Sequence, residues 1–109
     1  MEKVFVYIWE YLVKEEKKSE FERIYSPDGE WAQLFNKSIG YLGTELHKDN
    51  SNNQRYLTVD YWISQKARNN FRERFTEEFE KLDKQCEQLT EKEIFLGDFE
   101  CFRNIPRQL

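Results

Sequence analysis

The chain has 109 residues, of which 35% are charged and 17% aromatic, and its formal net charge is −4. This length allows one domain with a single core, and the composition is that of a globular protein and not of a disordered one. The acidic balance argues against a general nucleic-acid binder, and no apolar run approaches the roughly 20 residues of a membrane span, so we expect neither partner.

Residues 4–13 predict the first strand, because β-branched and aromatic residues dominate there and no Gly or Pro interrupts them. Both faces of this strand are apolar, and Glu10 is its only charge. A half-exposed strand alternates apolar with polar residues. We therefore expect this strand in the middle of a sheet that is covered on both sides.

Residues 17–38 predict a helix that is broken at 26–29. Ser19 and Glu22 have the spacing of a capping box at its start. Pro27 interrupts the helix because it cannot donate a backbone hydrogen bond and disfavours helical geometry at the residue before it.

Residues 41–48 and 54–62 predict two further strands, which the polar turn 49–53 joins as an antiparallel hairpin. A long amphipathic helix follows, from Ser64 as its N-cap to about residue 91. Its apolar residues recur every three or four positions and are Ala67, Phe71, Phe75, Phe79, Leu82, Cys86 and Leu89.

Residues 93–102 predict the last strand, so the domain spans 1–102 and 103–109 form a C-terminal tail. The element order β-α-β-β-α-β with right-handed crossovers predicts a ferredoxin-like α+β sandwich. In that fold one four-stranded antiparallel sheet carries both helices on one face, with the first and third strands central. The other face would leave apolar side chains in water, so we expect a homodimer through this open sheet face.

The two cysteines, Cys86 and Cys101, lie far apart and form no Cys-x-x-Cys or Cys/His group. This pattern is typical of reduced thiols. The first residues also lack the layout of a signal peptide. We therefore expect a cytoplasmic protein.

Three stretches carry a resemblance to the antibiotic biosynthesis monooxygenase family of the dimeric α+β barrel superfamily, and the resemblance covers residues 4–100. The first joins a strand to the helix that contains Phe21-Glu22-Arg23, the second is a Gly-Tyr-then-strand passage, and the third is a strand-end Trp followed by a helix start. They are Trp9-Glu10-Tyr11-Leu12-Val13-Lys14, Gly40-Tyr41-Leu42-Gly43-Thr44-Glu45-Leu46 and Tyr61-Trp62-Ile63-Ser64-Gln65-Lys66-Ala67.

This resemblance implies two sheets paired in a dimeric α+β barrel and a small aromatic ligand bound between sheet and helices. The family includes cofactor-independent oxygenases, quinol oxygenases, haem-degrading proteins and proteins of no known activity, and the fold does not select among them. A haem site needs an axial ligand, usually His, and the helix from Ser64 to about residue 91 has none. We expect a monooxygenase that acts on an aromatic or quinol-like compound; the alternative is a non-catalytic ligand-binding or interaction module.

Thr58, Asp60 and Trp62 share one face of the third strand by its two-residue period. The resemblance implies that this face lines the pocket, with Trp62 at the position of the family's pocket Trp and Thr58 where family oxygenases have Asn. Asp60 can act as a base if burial raises its pKa. Alternatively, Trp62 fills the core and Asp60 pairs with a basic residue.

His47 is the only histidine and is the second candidate base. It lies near the outer end of the predicted hairpin, where a lone His is more often exposed. A metal site of Glu45, His47 and Asp49 would have no second nitrogen or sulfur ligand at a recognisable spacing. We therefore expect neither a metal nor a cofactor.

Trp9, Trp31 and Phe35 are further candidate pocket residues. Trp31 and Phe35 follow the helix break and can form a lid over a cavity. On the first strand, Tyr7, Trp9 and Tyr11 either line that cavity or belong to the dimer-facing core; the core is favoured for Tyr7, and both alternatives are open for Trp9. The basic residues of the second helix predict a solvated face and are Lys66, Arg68, Arg72 and Arg74.

Overall fold

The computed structural model describes residues 2–104. The strands are β1 (Glu2–Val13), β2 (Tyr41–Lys48), β3 (Arg55–Trp62) and β4 (Thr90–Arg103), and the α-helices are α1 (Lys18–Tyr25), α2 (Glu30–Phe35), α3 (Gln65–Arg74) and α4 (Thr76–Cys86). Short 3-10 turns at Glu15–Lys17 and Glu87–Leu89 precede α1 and β4. Most of the predicted tail, residues 105–109, lies outside the described residues.

The strands form one antiparallel sheet in the order β2-β3-β1-β4, which confirms the predicted α+β ferredoxin-like fold with β1 and β3 in the centre. The β1–β3 pair runs from Phe5 opposite Trp62 to Leu12 opposite Arg55 without a register shift. The β1–β4 pair has an irregularity at Ile8/Trp9 and another at Leu12/Val13. These registers decide which side chains share a face.

The odd-numbered side chains of β1 face the helices. Tyr7, Tyr11 and Val13 belong to the buried core cluster, and Phe5 and Trp9 pack against it. The preference for Tyr7 in a dimer-facing core was therefore wrong: strand alternation places Tyr7 and Trp9 on the same face as Tyr11.

The first helical segment breaks where the sequence predicts it, between α1 and α2. Ser26 Oγ donates to the carbonyl of Arg23 and to Asp28 Oδ1 at 3.1 and 2.8 Å. At Gly29 a side chain is excluded, since a Cβ there would lie 2.3 Å from the carbonyl oxygen of Ile24. The chain therefore turns tightly here before α2 begins.

The predicted capping box was wrong. α1 begins at Lys18 without a side-chain cap, so Ser19 lies inside the helix. The carboxylate of Glu22 instead accepts a short hydrogen bond from the hydroxyl of Tyr56 and lies 3.6 Å from Lys48 Nζ. It therefore ties α1 to the sheet.

The second helical segment is two helices and not one. Ser64 is the predicted N-cap and accepts a 3.1 Å hydrogen bond from the backbone N–H of Ala67. The break at Phe75 was missed because neither Gly nor Pro marks it; there Thr76 Oγ1 donates to the carbonyls of Arg72 and Glu73, a back-bonding that bends helices. The helix also ends at Cys86, earlier than predicted, and β4 begins at Thr90.

The core lies between the sheet and the helices and is largely aromatic. Among its fully buried side chains are Phe21 of α1, Phe71 of α3, and Tyr56 and Trp62 of β3. Cys86 is buried in the same cluster, as its place in the apolar stripe predicts. No helix among residues 2–104 is long and apolar enough to cross a membrane.

Candidate functional site

A cavity of about 290 Å³ lies between the sheet and the helices. Its lining is mostly aromatic, with a few polar side chains from β2, β3, α3, α4 and β4. The lining residues are Tyr7, Trp9, Tyr11, Tyr25, Trp31, Phe35, Thr44, Thr58, Asp60, Trp62, Arg68, Phe79, Asp83 and Glu93.

The sheet side of the cavity is built in transverse rows by the strand registers. In one row Thr44 of β2 lies opposite Asp60 of β3, and Asp60 lies opposite Tyr7 of β1. In a neighbouring row Thr58 lies opposite Trp9. Strand pairing, therefore, brings these residues together although they are distant in the sequence.

Asp60 is the buried acid of the cavity, with a relative exposure of 9%. Its Oδ1 accepts a 2.7 Å hydrogen bond from Thr44 Oγ1, and Thr44 Oγ1 lies 2.6 Å from the hydroxyl of Tyr41. Burial raises the pKa of Asp60 to about 6, against the opposing effects of Thr44 and of the Arg68 charge. Near neutral pH this carboxyl can therefore both accept and return a proton.

Arg68 supplies the positive charge on the same side of the cavity. It lies one turn into α3, and its guanidinium carbon is 4.3 Å from the centre of the Tyr7 ring. Partial burial lowers the pKa of Arg68, yet a guanidinium keeps its charge across the physiological range. An anion bound in the cavity would therefore have a fixed cation beside it.

Aromatic rings form most of the remaining lining. The ring of Phe35 lies 5.7 Å from Trp62 and 5.8 Å from Trp31, and Trp31 lies 5.1 Å from Phe79. Trp62 is 1% exposed and Trp31 is 8% exposed. The part of the chain after the helix break therefore forms one wall of the cavity, and a lid role for it stays a prediction.

A second polar region lies toward the β4 side of the cavity. Glu93 of β4 pairs with Tyr11 of β1, and Asp83 projects from α4. Burial raises the pKa of both carboxyls, and the charge of Asp83 raises the pKa of Glu93 further. This region is therefore unfavourable for a further negative charge.

Two buried groups next to this region are of chemical interest. Burial raises the pKa of the Cys86 thiol, although the nearby side chains of Tyr25 and Trp31 favour its thiolate. The buried indole N–H of Trp31 is next to this thiol, which is a weak acceptor, and has no stronger hydrogen-bond partner among residues 2–104.

The structure brings together all of the predicted pocket residues except His47. The same cavity is lined by Asp60, Thr58, Trp62, Trp9, Trp31 and Phe35. His47 pairs with Leu57 in an odd-numbered register position, on the opposite face of the sheet, and is 55% exposed in its side chain. Its Nε2 lies 3.0 Å from Glu45 Oε1, away from the other candidates.

No group of three His, Cys, Asp or Glu side chains in the described ranges has the arrangement of a metal site. Glu45 and His47 form a pair, but Asp49 instead lies 3.1 Å from Arg55 Nη1.

Sequence reasoning missed Thr44, Arg68, Asp83 and Glu93. Thr44 was missed because a hairpin over 41–48 and 54–62 places it opposite residue 58 or 59, whereas the observed register, which shifts between Tyr41 and Gly43, places it opposite Asp60. Arg68 was wrongly assigned to a solvated helix face. Arg72 was also wrongly assigned to that face, since it is half-buried with its guanidinium carbon 3.9 Å from the centre of the Phe79 ring. Only tertiary packing distinguishes these two arginines from the exposed Lys66 and Arg74.

The sequence matches no protein-family model and no curated protein. Solved structures nevertheless match over nearly the whole chain. A mutant of SnoaB, a cofactor-independent oxygenase from Streptomyces nogalater, is 16% identical with a TM-score of 0.77, over 98% of this chain and 100% of that one. A "putative antibiotic biosynthesis monooxygenase" from Bordetella bronchiseptica is 22% identical with a TM-score of 0.64, over 95% of this chain and 100% of that one. The chain therefore has the ferredoxin-like α+β fold of cofactor-independent oxygenases and of structures described as antibiotic biosynthesis monooxygenases.

Proposed function

We propose that this protein is a cofactor-independent monooxygenase of a small aromatic or quinol-like compound bound between the sheet and the helices. The observation that carries the proposal is Asp60: a buried carboxyl with a pKa of about 6 that lines a ligand-sized, largely aromatic cavity. A general base is most effective when its pKa lies near the working pH. The fold shared with a cofactor-independent oxygenase supports the proposal.

The cavity volume favours a compound of about two fused rings. An apolar cavity of about 150 Å³ holds one benzene molecule, and this cavity is about 290 Å³. Ligand pockets commonly begin at about 300 Å³. A naphthoquinol, with two fused rings and two hydroxyls, is therefore a suitable test substrate.

The reaction starts with proton transfer from a quinol hydroxyl to the Asp60 carboxylate. The resulting anion is electron-rich, and the Arg68 guanidinium stabilises its charge in a site of low polarity. Trp62 orients the ring. The aromatic lining excludes water, which would otherwise solvate the anion and lower its reactivity toward O2.

Molecular oxygen is the oxidant. A ring carbon of the anion forms a bond to O2 and becomes a peroxide, while O2 takes up the electron pair. Asp60 returns the proton to the peroxide, which then loses water. The balance is one quinol and one O2 converted to one hydroxyquinone and one water, so one oxygen atom enters the product.

The test is turnover of a naphthoquinol under ¹⁸O2, with the rate without protein subtracted. Mass spectrometry should find one ¹⁸O atom in the product, whereas simple oxidation to the quinone would incorporate none. Asp60→Asn should lower the rate by about 10²-fold or more, in the range for a lost general base, while Glu73→Gln, an exposed α3 residue, should leave it unchanged. Equal rates in both variants would contradict the proposal.

The competing function is binding of a small ligand without chemistry. It would be favoured by a cavity with hydrocarbon walls alone, and the buried Asp60 beside Arg68 argues for chemistry instead. Tight binding of naphthols with no oxygen consumption and no ¹⁸O incorporation would support the binding module.

We further propose that the protein is a homodimer through the open face of the sheet. This face carries half-buried apolar side chains of three strands, including Ile8, Val59 and Ile94, and the exposed Phe99 of β4. One layer of helices covers only the opposite face. A second copy would remove this apolar surface from water.

A further inference from the structure

A short series of hydrogen bonds begins inside the cavity and ends outside it. Asp60 Oδ1 accepts from Thr44 Oγ1 at 2.7 Å, and Thr44 Oγ1 lies 2.6 Å from the hydroxyl of Tyr41. Asp60 and Thr44 line the cavity, and Tyr41 does not. Tyr41 is half-buried and is the first residue of β2, which lies at an edge of the sheet. The series therefore runs from the buried carboxyl toward the sheet edge.

A bulge in β2 makes this series possible. Residues three apart on a regular strand point to opposite faces. The β2–β3 register shifts between Tyr41 and Gly43, so β2 has one extra residue at this point. Gly43 has a φ of +154°, which residues with a side chain rarely adopt. The bulge turns Tyr41 to the same face as Thr44.

Donors and acceptors follow one order along the series. Thr44 has a single hydroxyl hydrogen and donates it to Asp60, so Tyr41 is the donor to Thr44. When Asp60 is protonated, its own O–H can donate to Thr44 Oγ1, and the Thr44 hydrogen can turn to the Tyr41 oxygen. Each hydroxyl then passes its own hydrogen on, and one proton leaves Asp60 for water at the Tyr41 end.

Asp60 is the member of this series that titrates near neutral pH. The charged and titratable side chains that face it are Tyr7 and Tyr11 of β1, Tyr41 of β2 and Arg68 of α3. Burial raises the pKa of all three tyrosines, and Arg68 keeps its charge. None of these four changes its charge between about pH 5 and pH 8. The Tyr41 hydroxyl therefore keeps its hydrogen throughout this range.

The proposed reaction needs an ionised Asp60. Because burial raises the pKa of Asp60 to about 6, about half of the molecules carry a protonated Asp60 at pH 6. A ligand that binds such a molecule displaces water from the cavity and forms a complex without a base. This complex becomes productive only when the proton leaves by a route that does not cross the ligand.

We propose that Thr44 and Tyr41 form a proton relay that removes the proton of Asp60 while a ligand fills the cavity. One proton moves from the carboxyl to water, and no bond of the ligand forms or breaks. Thr44 and Tyr41 are therefore positioning residues. The inference rests on the cavity and the base of the proposed function and adds the path of the proton.

The first test is the rate at which Asp60 loses its proton in a filled cavity, without O2. The protein is saturated with 2-naphthol at pH 5 and mixed to pH 8, and the carboxylic acid infrared band that Asp60→Asn lacks reports the proton. Displacement by 5,6,7,8-tetrahydro-2-naphthol gives the rate of naphthol dissociation. The native protein should lose the proton about tenfold or more faster than it loses naphthol, since ligand release takes milliseconds or longer.

Tyr41→Phe should slow the loss of the proton to the rate of naphthol dissociation. The change keeps the ring, which packs 5.5 Å from Phe35 and 5.4 Å from Trp62. Tyr61→Phe is the matched control, because the Tyr61 hydroxyl donates to Glu45 on the other face of the sheet, and it should keep the native rate. Equal rates in native protein and Tyr41→Phe, or a native rate no faster than dissociation, would overturn the proposal.

Thr44 supplies a second pair of variants if Tyr41→Phe does not fold. Thr44→Val interrupts the series and keeps the side-chain shape, whereas Thr44→Ser keeps the hydroxyl. The proton should leave at the dissociation rate in Thr44→Val and at the native rate in Thr44→Ser. Loss at the native rate in Thr44→Val would contradict the relay.

Failure of the relay and failure of the proposed function give different results. If the proton leaves as stated but quinols incorporate no ¹⁸O, the proposed function fails and the relay stands. If quinols turn over with ¹⁸O incorporation and Tyr41→Phe loses the proton at the native rate, the relay alone fails. If 2-naphthol does not bind the native protein, the cavity on which both rest is contradicted.

Discussion

Thr44 Oγ1 donates a 2.7 Å hydrogen bond to Asp60 Oδ1 across the β2–β3 pair, and Tyr41 lies 2.6 Å from the same Thr44 oxygen. The hydrogen bond stabilises the carboxylate while burial destabilises it, and burial has the larger effect, so the pKa of Asp60 rises to about 6. Burial therefore sets the direction of the change in pKa, and one hydroxyl on a neighbouring strand limits its size.

Thr44→Val should raise the pKa of Asp60. It removes the donor and keeps the side-chain shape, and a hydrogen bond to a charged group contributes about 1.5–3 kcal/mol, which corresponds to about one pKa unit or more. The acid limb of the pH–rate profile should move to higher pH by that amount. Glu45→Gln, on the other face of β2, is the control, and an unmoved limb in Thr44→Val would exclude Asp60 as the titrating base.

Asp60→Asn should stabilise the fold while it lowers the turnover rate by about 10²-fold or more. The folded pKa of about 6 lies above the ordinary value of 3.8, so the folded state binds a proton more tightly and stability rises as the pH falls from about 6 to about 4. Above pH 6 the ionised carboxylate costs roughly 3 kcal/mol, which is an upper limit for the gain in Asp60→Asn.

Denaturant unfolding at pH 7.5 and at pH 4 measures this effect. At pH 7.5 the free energy of unfolding should be larger for the variant than for the native protein. At pH 4 the two free energies should converge, because Asp60 is then largely protonated in the folded native protein as well. An equal or lower stability of the variant at pH 7.5 would show that Asp60 is not a desolvated acid.

About half of the candidate site could be predicted from the sequence, because local patterns group only residues that lie close together along the chain. Thr58, Asp60 and Trp62 lie two residues apart on one strand, so the strand period alone groups them. Thr44 requires the hairpin register, and the predicted turn 49–53 gives a register two residues away from the observed one. Arg68, Asp83 and Glu93 reach the cavity only through packing of α3, α4 and β4 on the sheet, which no local pattern encodes. His47 was chosen as a candidate base for the chemistry of its side chain. That chemistry does not indicate which face of β2 the side chain occupies.

The fold was more predictable than the helix boundaries. The element order and the two apolar faces of β1 fix the sheet order, because only a central strand buries both faces. The break at Phe75 depends on hydrogen bonds from Thr76 to the preceding turn, and a Thr in a helix does not make such a break in general.

Arg68→Gln should slow oxygenation by about tenfold or more. The change removes the cation that stacks 4.3 Å from the Tyr7 ring and that lowers the pKa of Asp60. The pKa of Asp60 should therefore rise, and the substrate anion should lose its partner. Lys66→Gln, an exposed change on the same helix, is the matched control. Rate and pH profile together are informative, because a structural defect alone would lower the rate without moving the acid limb.

Val59→Lys should convert the proposed dimer to a folded monomer. Val59 lies near the middle of the open face, opposite Ile8 of β1 and Glu45 of β2, and is half-buried in the single chain. A lysine there can reach water in a monomer, but at a face-to-face sheet interface its charge would be buried without a partner, which costs several kcal/mol. Sedimentation at micromolar concentration should give a dimer for the native protein and a monomer for Val59→Lys, with unchanged circular dichroism. Gln85→Lys, exposed on α4, should remain dimeric. A native protein that sediments as a stable monomer would contradict the dimer, and it would require the half-buried apolar side chains of this face to be tolerated in water.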